Sequence, residues 1–201
     1  VYKVKPGNSK YVDVNKDGVY NDADQGIIGC GQPTFNWGWN NTFNYKNFDF
    51  SFFVVGFHGF DIYNATHQMG YNLIKSQQMA GVTPMRELLN RWTPTNTNTD
   101  IPGFVKGGTE NKDFFSTRFV ENGSFIKMKS ITLGYTLPEA TCRSLGINNL
   151  RVYASVQNPF HITKYSGLDP EATMGSPLVQ GVDWGAYPNS RNYLIGLNFS
   201  F

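Results

Sequence analysis

Length, composition and charge exclude several classes of protein at once. The chain has 201 residues and a net charge of +2, with charged residues at 16% and aromatic residues at 15% of the sequence. So balanced a charge provides no basic face for nucleic acid, and no run of about 18 apolar residues predicts a membrane helix. No signal peptide opens the chain, and we therefore expect a mature form or a fragment of a larger protein.

An acidic stretch at residues 13–24 is the first candidate site. It matches the calcium-loop pattern D-x-[DN]-x-[DN]-G and has a carboxylate at its twelfth position. Because Ca²⁺ prefers about six to eight oxygen ligands, the expected ligands are the carbonyl oxygen of Val19 and four side chains: Asp13, Asn15, Asp17 and Asp24. No amphipathic helix precedes the stretch, so we predict an EF-hand-like loop in an extracellular segment, residues 1–33. The alternative is an Asx-rich surface turn without an ion.

Two neighbouring stretches predict the first two strands. Residues 34–45 alternate between polar and aromatic side chains, and one face carries Phe35, Trp37, Trp39, Phe43 and Tyr45. This period of two is typical of a strand whose faces meet different surroundings. A tight turn at Lys46-Asn47 precedes a second strand at 47–58. Both faces of that strand are apolar, because Phe53, Val55 and Phe57 occupy the second one, which we expect to pack against another body such as a plug.

A long irregular stretch follows at residues 59–122. Thr83-Pro84 is a typical helix start, since proline is favoured at the first helical position. We expect a short helix from there through Trp92, followed by a polar segment rich in Thr and Asn. Loops of this length are uncommon in compact domains and are usually functional when they are ordered.

Three more strands are predicted at 124–137, 149–160 and 191–201, separated by a turn at 138–148 and a loop at 161–190. In the first of them the apolar residues change phase: Ile126 and Met128 alternate in one phase, Ile131 and Leu133 in the other. We therefore expect a β-bulge near Lys129-Ser130, or a strand that leaves a bilayer there. The last strand has about the length that crosses a hydrocarbon core.

The order of connections predicts the architecture. The loops between the five strands run short, long, short, long, as in outer-membrane barrels with short periplasmic turns and long extracellular loops. The predicted fold is therefore all-β, the C-terminal strands of a large antiparallel transmembrane β-barrel with a periplasmic C-terminus. Five strands cannot close such a barrel, because unpaired edges in lipid cost several kcal/mol for each backbone group. This also predicts a fragment.

Six motifs resemble the SusC/RagA-like TonB-linked outer-membrane proteins, in the family's order: Tyr11-Val-Asp-Val-Asn-Lys-Asp-Gly18, Trp39-Asn-Asn-Thr-Phe-Asn-Tyr-Lys-Asn-Phe-Asp49, Asn90-Arg-Trp-Thr-Pro94, Ile131-Thr-Leu-Gly-Tyr-Thr-Leu-Pro138, Leu150-Arg-Val-Tyr-Ala-Ser-Val-Gln-Asn158 and Tyr165-Ser-Gly-Leu-Asp-Pro-Glu171. The resemblance implies a plugged barrel of about 22 strands. It implies import of glycans or peptides across the bacterial outer membrane with a SusD-like lipoprotein. TonB would act through an N-terminal part that these residues do not contain.

Other features of the sequence bear on the alternatives to a transporter, namely an enzyme or a soluble binding domain. His58, His67 and His161 lack the spacing of a helical metal site, and Asp169 and Glu171 are expected to organise turns, so no enzyme is predicted.

The loop aromatics Trp92, Tyr165, Trp184 and Tyr187 could stack on sugars or pack within their loops. A soluble calcium-binding domain that binds carbohydrate or mediates adhesion is the alternative, and it would have to bury Phe35, Trp37 and Trp39.

The two cysteines are too few for a disulfide framework. The barrel interpretation sets Cys30 and Cys142 at opposite membrane ends, ~30 Å apart. Since a disulfide requires Cα atoms within about 7 Å, we expect both to be unpaired.

Overall fold

The computed structural model describes residues 5–71, 84–103, 115–174 and 179–201. Within them the strands are β1 Phe35–Tyr45, β2 Phe48–His58, β3 Asp61–Asn64, β4 Val120–Asn122, β5 Phe125–Thr136, β6 Asn149–Gln157, β7 His161–Thr163, β8 Val182–Asp183 and β9 Asn192–Ser200. The helices are α1 Ala65–Tyr71 and α2 Glu139–Ser144, and single 3₁₀ turns cover Asp22–Asp24, Arg86–Asn90, Thr117–Phe119 and Pro170–Met174. Among the described residues, no helix combines the length and apolar character needed to cross a membrane.

The described chain divides into two compact units. The first comprises Val1–Gly29, Tyr63–Val120 and Asp183–Gly185, and the second comprises Cys30–Ile62, Glu121–Val182 and Ala186–Phe201. The long strands all belong to the second unit. Aromatic rings from β3, α1 and the segment before β4 gather in the first unit, where the centroids of Tyr63 and Phe115 lie 5.0 Å apart and those of Tyr71 and Phe119 lie 6.2 Å apart.

The five long strands form one antiparallel sheet in the order β1-β2-β5-β6-β9, and β7 pairs with β5. Each strand agrees with its predicted bounds to within one residue at either end, except β6, which was predicted to reach Phe160 and ends at Gln157. The reason is the backbone of Asn158, whose φ of 49° is in the left-handed region and turns the chain out of the strand. The tight turn at Lys46-Asn47 is confirmed, with Tyr45 paired to Phe48.

A β-bulge keeps the apolar side chains of β5 on one face. Phe53 of β2 pairs with Ser130 while the next residue, Val54, pairs with Met128, so Lys129 is left out of the ladder. Inserting one residue reverses the side-chain phase. Ile126 and Met128 therefore join the face of Ile131, Leu133 and Tyr135. The predicted bulge is confirmed.

The connections are more ordered than predicted. The stretch 59–122, predicted to be irregular, contains β3, α1 and β4, and the loop 161–190 contains β7 and β8. The short strands β4, β3 and β8 form a second sheet in that order. The helix predicted from Thr83-Pro84 through Trp92 is a 3₁₀ turn at Arg86–Asn90, and Thr83 lies outside the described residues. The connection at 138–148, predicted to be a turn, contains the short helix α2.

A small buried core lies at the end of the sheet where the long connections begin. It consists of Phe60, Ile62, Phe125 and Tyr165, with Phe57 packed against it. The rings of Phe57 and Phe125 stack with their centroids 5.1 Å apart. The apolar second face of β2 was expected to meet a separate body such as a plug, and for Phe57 that expectation needs correction, because its partners belong to this chain.

Both cysteines are free, as predicted. Cys30 is exposed, and its backbone N–H donates to Oδ2 of Asp61 at 3.1 Å. Cys142 is buried in α2, with its Sγ 3.8 Å from the carbonyl oxygen of Leu137.

Candidate functional site

One face of the five-stranded sheet, which we call the apolar face, is apolar from edge to edge. Its pairing register aligns apolar residues in rows across all five strands, and one row runs Phe43, Phe50, Leu133, Ala154, Ile195. These side chains are not covered: Trp39 is 54% exposed, Phe35 60% and Ile195 84%. Monomeric soluble proteins rarely expose contiguous apolar patches above a few hundred Å². This face therefore requires an apolar environment of its own.

The opposite face, which we call the polar face, carries mainly amides and hydroxyls, together with the apolar side chains of Phe53, Val55 and Phe57 on β2. A row across four of its strands consists of the small hydroxyl residues Thr42, Ser51, Thr132 and Ser155. The hydroxyls of Thr132 and Ser155 are 2.9 Å apart and share a hydrogen bond. A sheet with one apolar and one hydrated face separates lipid or core from water.

An ion pair on the polar face joins three strands. Nε and Nη2 of Arg151 on β6 donate to the two carboxylate oxygens of Asp49 on β2, at 2.8 and 2.5 Å. The strand between them, β5, contributes Gly134. A Cβ at that position would lie 2.3 Å from Oδ1 of Asp49 and 2.5 Å from Nη2 of Arg151. The absence of a side chain at Gly134 therefore makes the pair possible.

A second charged cluster attaches the loop after β7 to the polar face. Lys127 of β5, whose side chain is 2% exposed, donates to Oδ2 of Asp169 at 2.8 Å and to Oε2 of Glu171 at 2.7 Å. Lys129, the bulge residue, pairs with the other oxygen of Glu171. Asn189 adds its backbone N–H to Asp169 at 3.1 Å and its amide to Glu171 at 2.9 Å. We call these five residues the loop anchor, and its four formal charges sum to zero.

The two carboxylates of the loop anchor remain ionised. Burial alone would raise the pKa of Asp169, but the hydrogen bonds from Lys127 and from the backbone of Asn189 outweigh burial and hold that pKa below its ordinary value. Burial likewise opposes ionisation of Glu171, and the hydrogen bonds from Lys127 and Lys129 lower its pKa. Asp169 also accepts the backbone N–H of Glu171 at 3.0 Å, which is the turn-organising role expected of it. The pairing with the two lysines was not predicted.

The predicted calcium loop is a compact turn held by its own side chains. The carboxylate of Asp13 accepts the backbone N–H of Gly18 at 2.8 Å, and Asp17 accepts that of Val19 at 2.7 Å. Asp24 faces backbone donors, Val14 at 2.8 Å and Asn21 at 2.9 Å. The hydrogen bond from Asn21 is the main cause that lowers the pKa of Asp24. Over the described ranges, no three His, Cys, Asp or Glu side chains converge to hold a metal ion.

The four loop aromatics named from the sequence occupy different environments. Tyr165 is only 5% exposed and belongs to the buried core, so its ring packs within the protein. Trp92 is half-buried against Gly7 and Gly103. Trp184 is 58% exposed and Tyr187 is 89% exposed. The last two thus present open rings, whereas Tyr165 does not.

A polar cluster in the first unit was also not predicted. Glu87 Oε2 lies 3.2 Å from Nε2 of His67 and accepts the hydroxyl of Tyr71 at 2.9 Å. The hydrogen bonds from His67 and Tyr71 lower the pKa of Glu87. Burial, followed by the hydrogen bond to Glu87, raises the pKa of Tyr71 to about 12. These contacts connect α1 to the 3₁₀ turn that precedes Trp92.

Curated relatives match almost the whole chain. It is 36% identical over 202 residues to TonB-dependent receptor P3 of Formosa agariphila. The alignment covers 98% of this chain and 19% of that receptor. It is also 32% identical over 199 residues to TonB-dependent receptor SusC of Bacteroides thetaiotaomicron. That alignment covers 98% of this chain and 18% of SusC. The chain spans about a fifth of the length of these relatives. No protein-family model matches it.

Solved structures agree with these relatives. A structure of the RagAB peptide transporter superimposes with a TM-score of 0.76 at 27% identity, covering 91% of this chain and 19% of that chain. The RagAB peptide importer in its closed-closed state gives a TM-score of 0.74 at 27% identity, covering 95% of this chain and 20% of that chain. The strands of the long sheet are therefore strands of an outer-membrane β-barrel, and the chain belongs to the SusC/RagA-like TonB-dependent receptors.

Proposed function

We propose that this chain acts as one part of a TonB-dependent transporter that imports glycans or peptides across the outer membrane. The observation that carries this proposal is the apolar face, which runs uncovered across all five long strands. Lipid is the environment that such a face requires. The names of the relatives support the activity, because SusC and P3 are TonB-dependent receptors and RagAB is a peptide transporter.

The arrangement of the connections supports an orientation. The turn after β1, the connection that contains α2 and the end of β9 all lie at the same end of the strands. Tyr45 pairs with Phe48 there, and Asn149 pairs with Ser200. Short turns are periplasmic in outer-membrane barrels. We therefore assign this end of the strands and the C-terminus to the periplasm. The long connections and residues 1–33 are assigned to the cell surface.

Partners follow from the same assignment. The long connections face outward in this orientation, where a SusD-like lipoprotein would dock and where Trp184 and Tyr187 could contact the imported molecule. TonB would supply energy through a part of the receptor beyond these 201 residues. The polar face would line the water-filled interior.

A calcium ion at residues 13–24 is a separate proposal. The side chains of Asp13, Asn15 and Asp17 already lie in one turn, and Asn15 Nδ2 donates to Asp17 at 2.9 Å. Ca²⁺ would bind these three oxygen donors and the carbonyl of Val19. Asp24 would join after giving up a backbone hydrogen bond. Such an ion would stiffen the surface loop and take no part in chemistry.

The soluble alternative is a calcium-binding β-domain that binds carbohydrate or mediates adhesion. It would require the aromatic residues of β1 to be buried, yet Phe35 and Trp39 are more than half exposed and only Trp37 is half-buried. This observation favours the membrane.

Uptake by cells tests the proposal. Cells that carry the full-length receptor should accumulate labelled oligosaccharides or peptides, and deletion of its gene should abolish that uptake. Deletion of the gene for the SusD-like lipoprotein, and dissipation of the proton gradient, should each reduce uptake strongly. Unchanged uptake of every tested glycan and peptide after deletion of the receptor gene would refute the transport function.

A further inference from the structure

Trp92 lines a pocket in the first unit. Its lining comes from residues 6–8, residues 91–94 and Gly103, and it encloses about 200 Å³. Pro6 and Pro94 line the pocket together with the indole of Trp92. Asn8 and Arg91 add an amide and a guanidinium group to the same lining. The pocket thus combines flat apolar surfaces with hydrogen-bond donors.

Two glycines fix the indole. Gly7 has φ +87°, a conformation that side chains rarely adopt, and a Cβ there would lie 2.3 Å from Cε3 of Trp92. A Cβ on Gly103 would lie 3.1 Å from the same atom. The two glycines are joined by a hydrogen bond from Gly103 N–H to the Gly7 carbonyl at 2.7 Å. Close backbone contact therefore holds the ring in one position.

Hydrogen bonds also order the segment that carries the indole. The backbone of Trp92 donates to the carbonyl of Ile101 at 2.9 Å. Asn96 donates from its side chain to the carbonyls of Asn90 and Arg91, both at 3.2 Å, and exchanges backbone hydrogen bonds with Thr93. A site that is ordered before binding loses little conformational entropy on binding. The pocket is therefore preorganised, as a binding site requires.

We propose that the Trp92 pocket binds one pyranose ring of an oligosaccharide. The C–H face of the sugar would lie on the indole, and its hydroxyls would accept hydrogen bonds from Asn8 and Arg91, because flat apolar groups with a few polar groups suit such a ligand. This inference rests on the proposed transport function and specifies one contact site for its cargo. A charged peptide is a poorer fit, since only Arg91 carries a charge among the lining residues.

Binding to the purified full-length receptor in detergent tests the proposal. The probes are maltoheptaose, cellohexaose, xylohexaose and mannohexaose, with a tryptic digest of casein as the peptide class, all measured by calorimetry. The variants are Trp92→Ala, Trp92→Phe and Asn8→Ala. The control is Leu89→Ala, which alters an exposed residue of the neighbouring 3₁₀ turn that does not line the pocket. Heat-modifiability on gels confirms that each variant is folded.

We expect at least one oligosaccharide to bind. Trp92→Ala should weaken that binding at least tenfold, and Asn8→Ala should weaken it several-fold. Trp92→Phe keeps an aromatic surface and should stay within about fivefold of wild type, and Leu89→Ala should have no effect. If Trp92→Ala does not fold, the proposal is decided by Asn8→Ala. Binding or uptake of oligosaccharide that is insensitive to these variants overturns the pocket and leaves transport intact. Binding of peptides alone also overturns it, and a receptor that neither binds nor imports any probe refutes both proposals.

Discussion

Asp49 on β2 and Arg151 on β6 form a two-pronged ion pair across Gly134, a residue of the strand between them. The pair connects strands whose sequence positions are 102 residues apart. Ion pairs with two hydrogen bonds specify geometry as well as energy. This pair therefore fixes the register of β2, β5 and β6 together on the polar face.

Removing either partner of this pair should destabilise the sheet. We expect Arg151→Ala and Asp49→Ala each to lower the free energy of unfolding by about 1–2 kcal/mol. The double variant should lose less than the sum, since the two residues interact directly. Urea-induced unfolding of the receptor in lipid vesicles measures these values. Glu139→Ala is the control, because its pair with Arg143 is 3.2 Å long and more than three-quarters exposed and should contribute almost nothing. Strictly additive losses would contradict the pairing.

The two faces should respond oppositely to charge. Leu133 lies in the middle of an apolar row, and Leu133→Arg should cost roughly 2–4 kcal/mol if that row contacts lipid near the bilayer midplane. Asn40→Arg introduces the same charge on the polar face and should change the free energy of unfolding little. The comparison uses urea unfolding in vesicles of uniform thickness. Equal costs at the two positions would show that the apolar face does not contact lipid.

Lys127 should be essential for the loop anchor. In Lys127→Met the buried Asp169 would lose a charged partner, and breaking such pairs typically costs about 3–5 kcal/mol. We expect faster hydrogen exchange in residues 165–173 and 186–190, measured by mass spectrometry. Lys10→Met, at an exposed position, removes the same charge and should leave exchange unchanged. Exchange in Lys127→Met equal to wild type would mean that the loop is held by other contacts.

The loop anchor should also weaken in acid. Because the pKa values of Asp169 and Glu171 are lowered in the folded protein, their stabilisation is complete above the ordinary carboxyl pKa values of about 4. It is lost as the pH falls through the lowered folded values. Lys129→Met removes one cause of the lowered pKa of Glu171, so the loss should begin at a higher pH. Hydrogen exchange of the loop as a function of pH measures this shift, and identical profiles would exclude a role for Lys129.

Calcium should bind at residues 13–24. Titration of the calcium-free receptor with Tb³⁺, followed by luminescence excited through Tyr11 or Tyr20, should saturate and be reversed by Ca²⁺. Asp13→Asn and Asp17→Asn should each weaken binding at least tenfold, because each removes a charged oxygen ligand. Asp22→Asn is the matched control, since its carboxylate bonds to Gln25 at 3.1 Å and is not a proposed ligand. The absence of a reversible signal would leave the stretch as a surface turn.

The sequence alone determined the long strands and their faces. Alternation with a period of two is a local property, and the change of phase between Met128 and Ile131 was sufficient to predict the bulge. The lengths of the connections then indicated which end of each strand carries the long loops. The order inside those loops was missed, because β3, β4 and β8 are too short for a periodic signal and depend on pairing with distant segments.

Only the tertiary structure decided which charged and aromatic residues meet. Lys127 and Asp169 are 42 residues apart, and nothing in the neighbourhood of either one predicts the other. Tyr165 was a candidate for an exposed contact and is buried, because Phe60 and Phe125 come from other elements to cover it. The alternation of apolar and polar residues is a local property of the chain, whereas charge pairing and burial depend on which strands become neighbours. The sequence therefore determined a two-faced barrel sheet, and folding alone brought the ion pair, the loop anchor and the Trp92 pocket together.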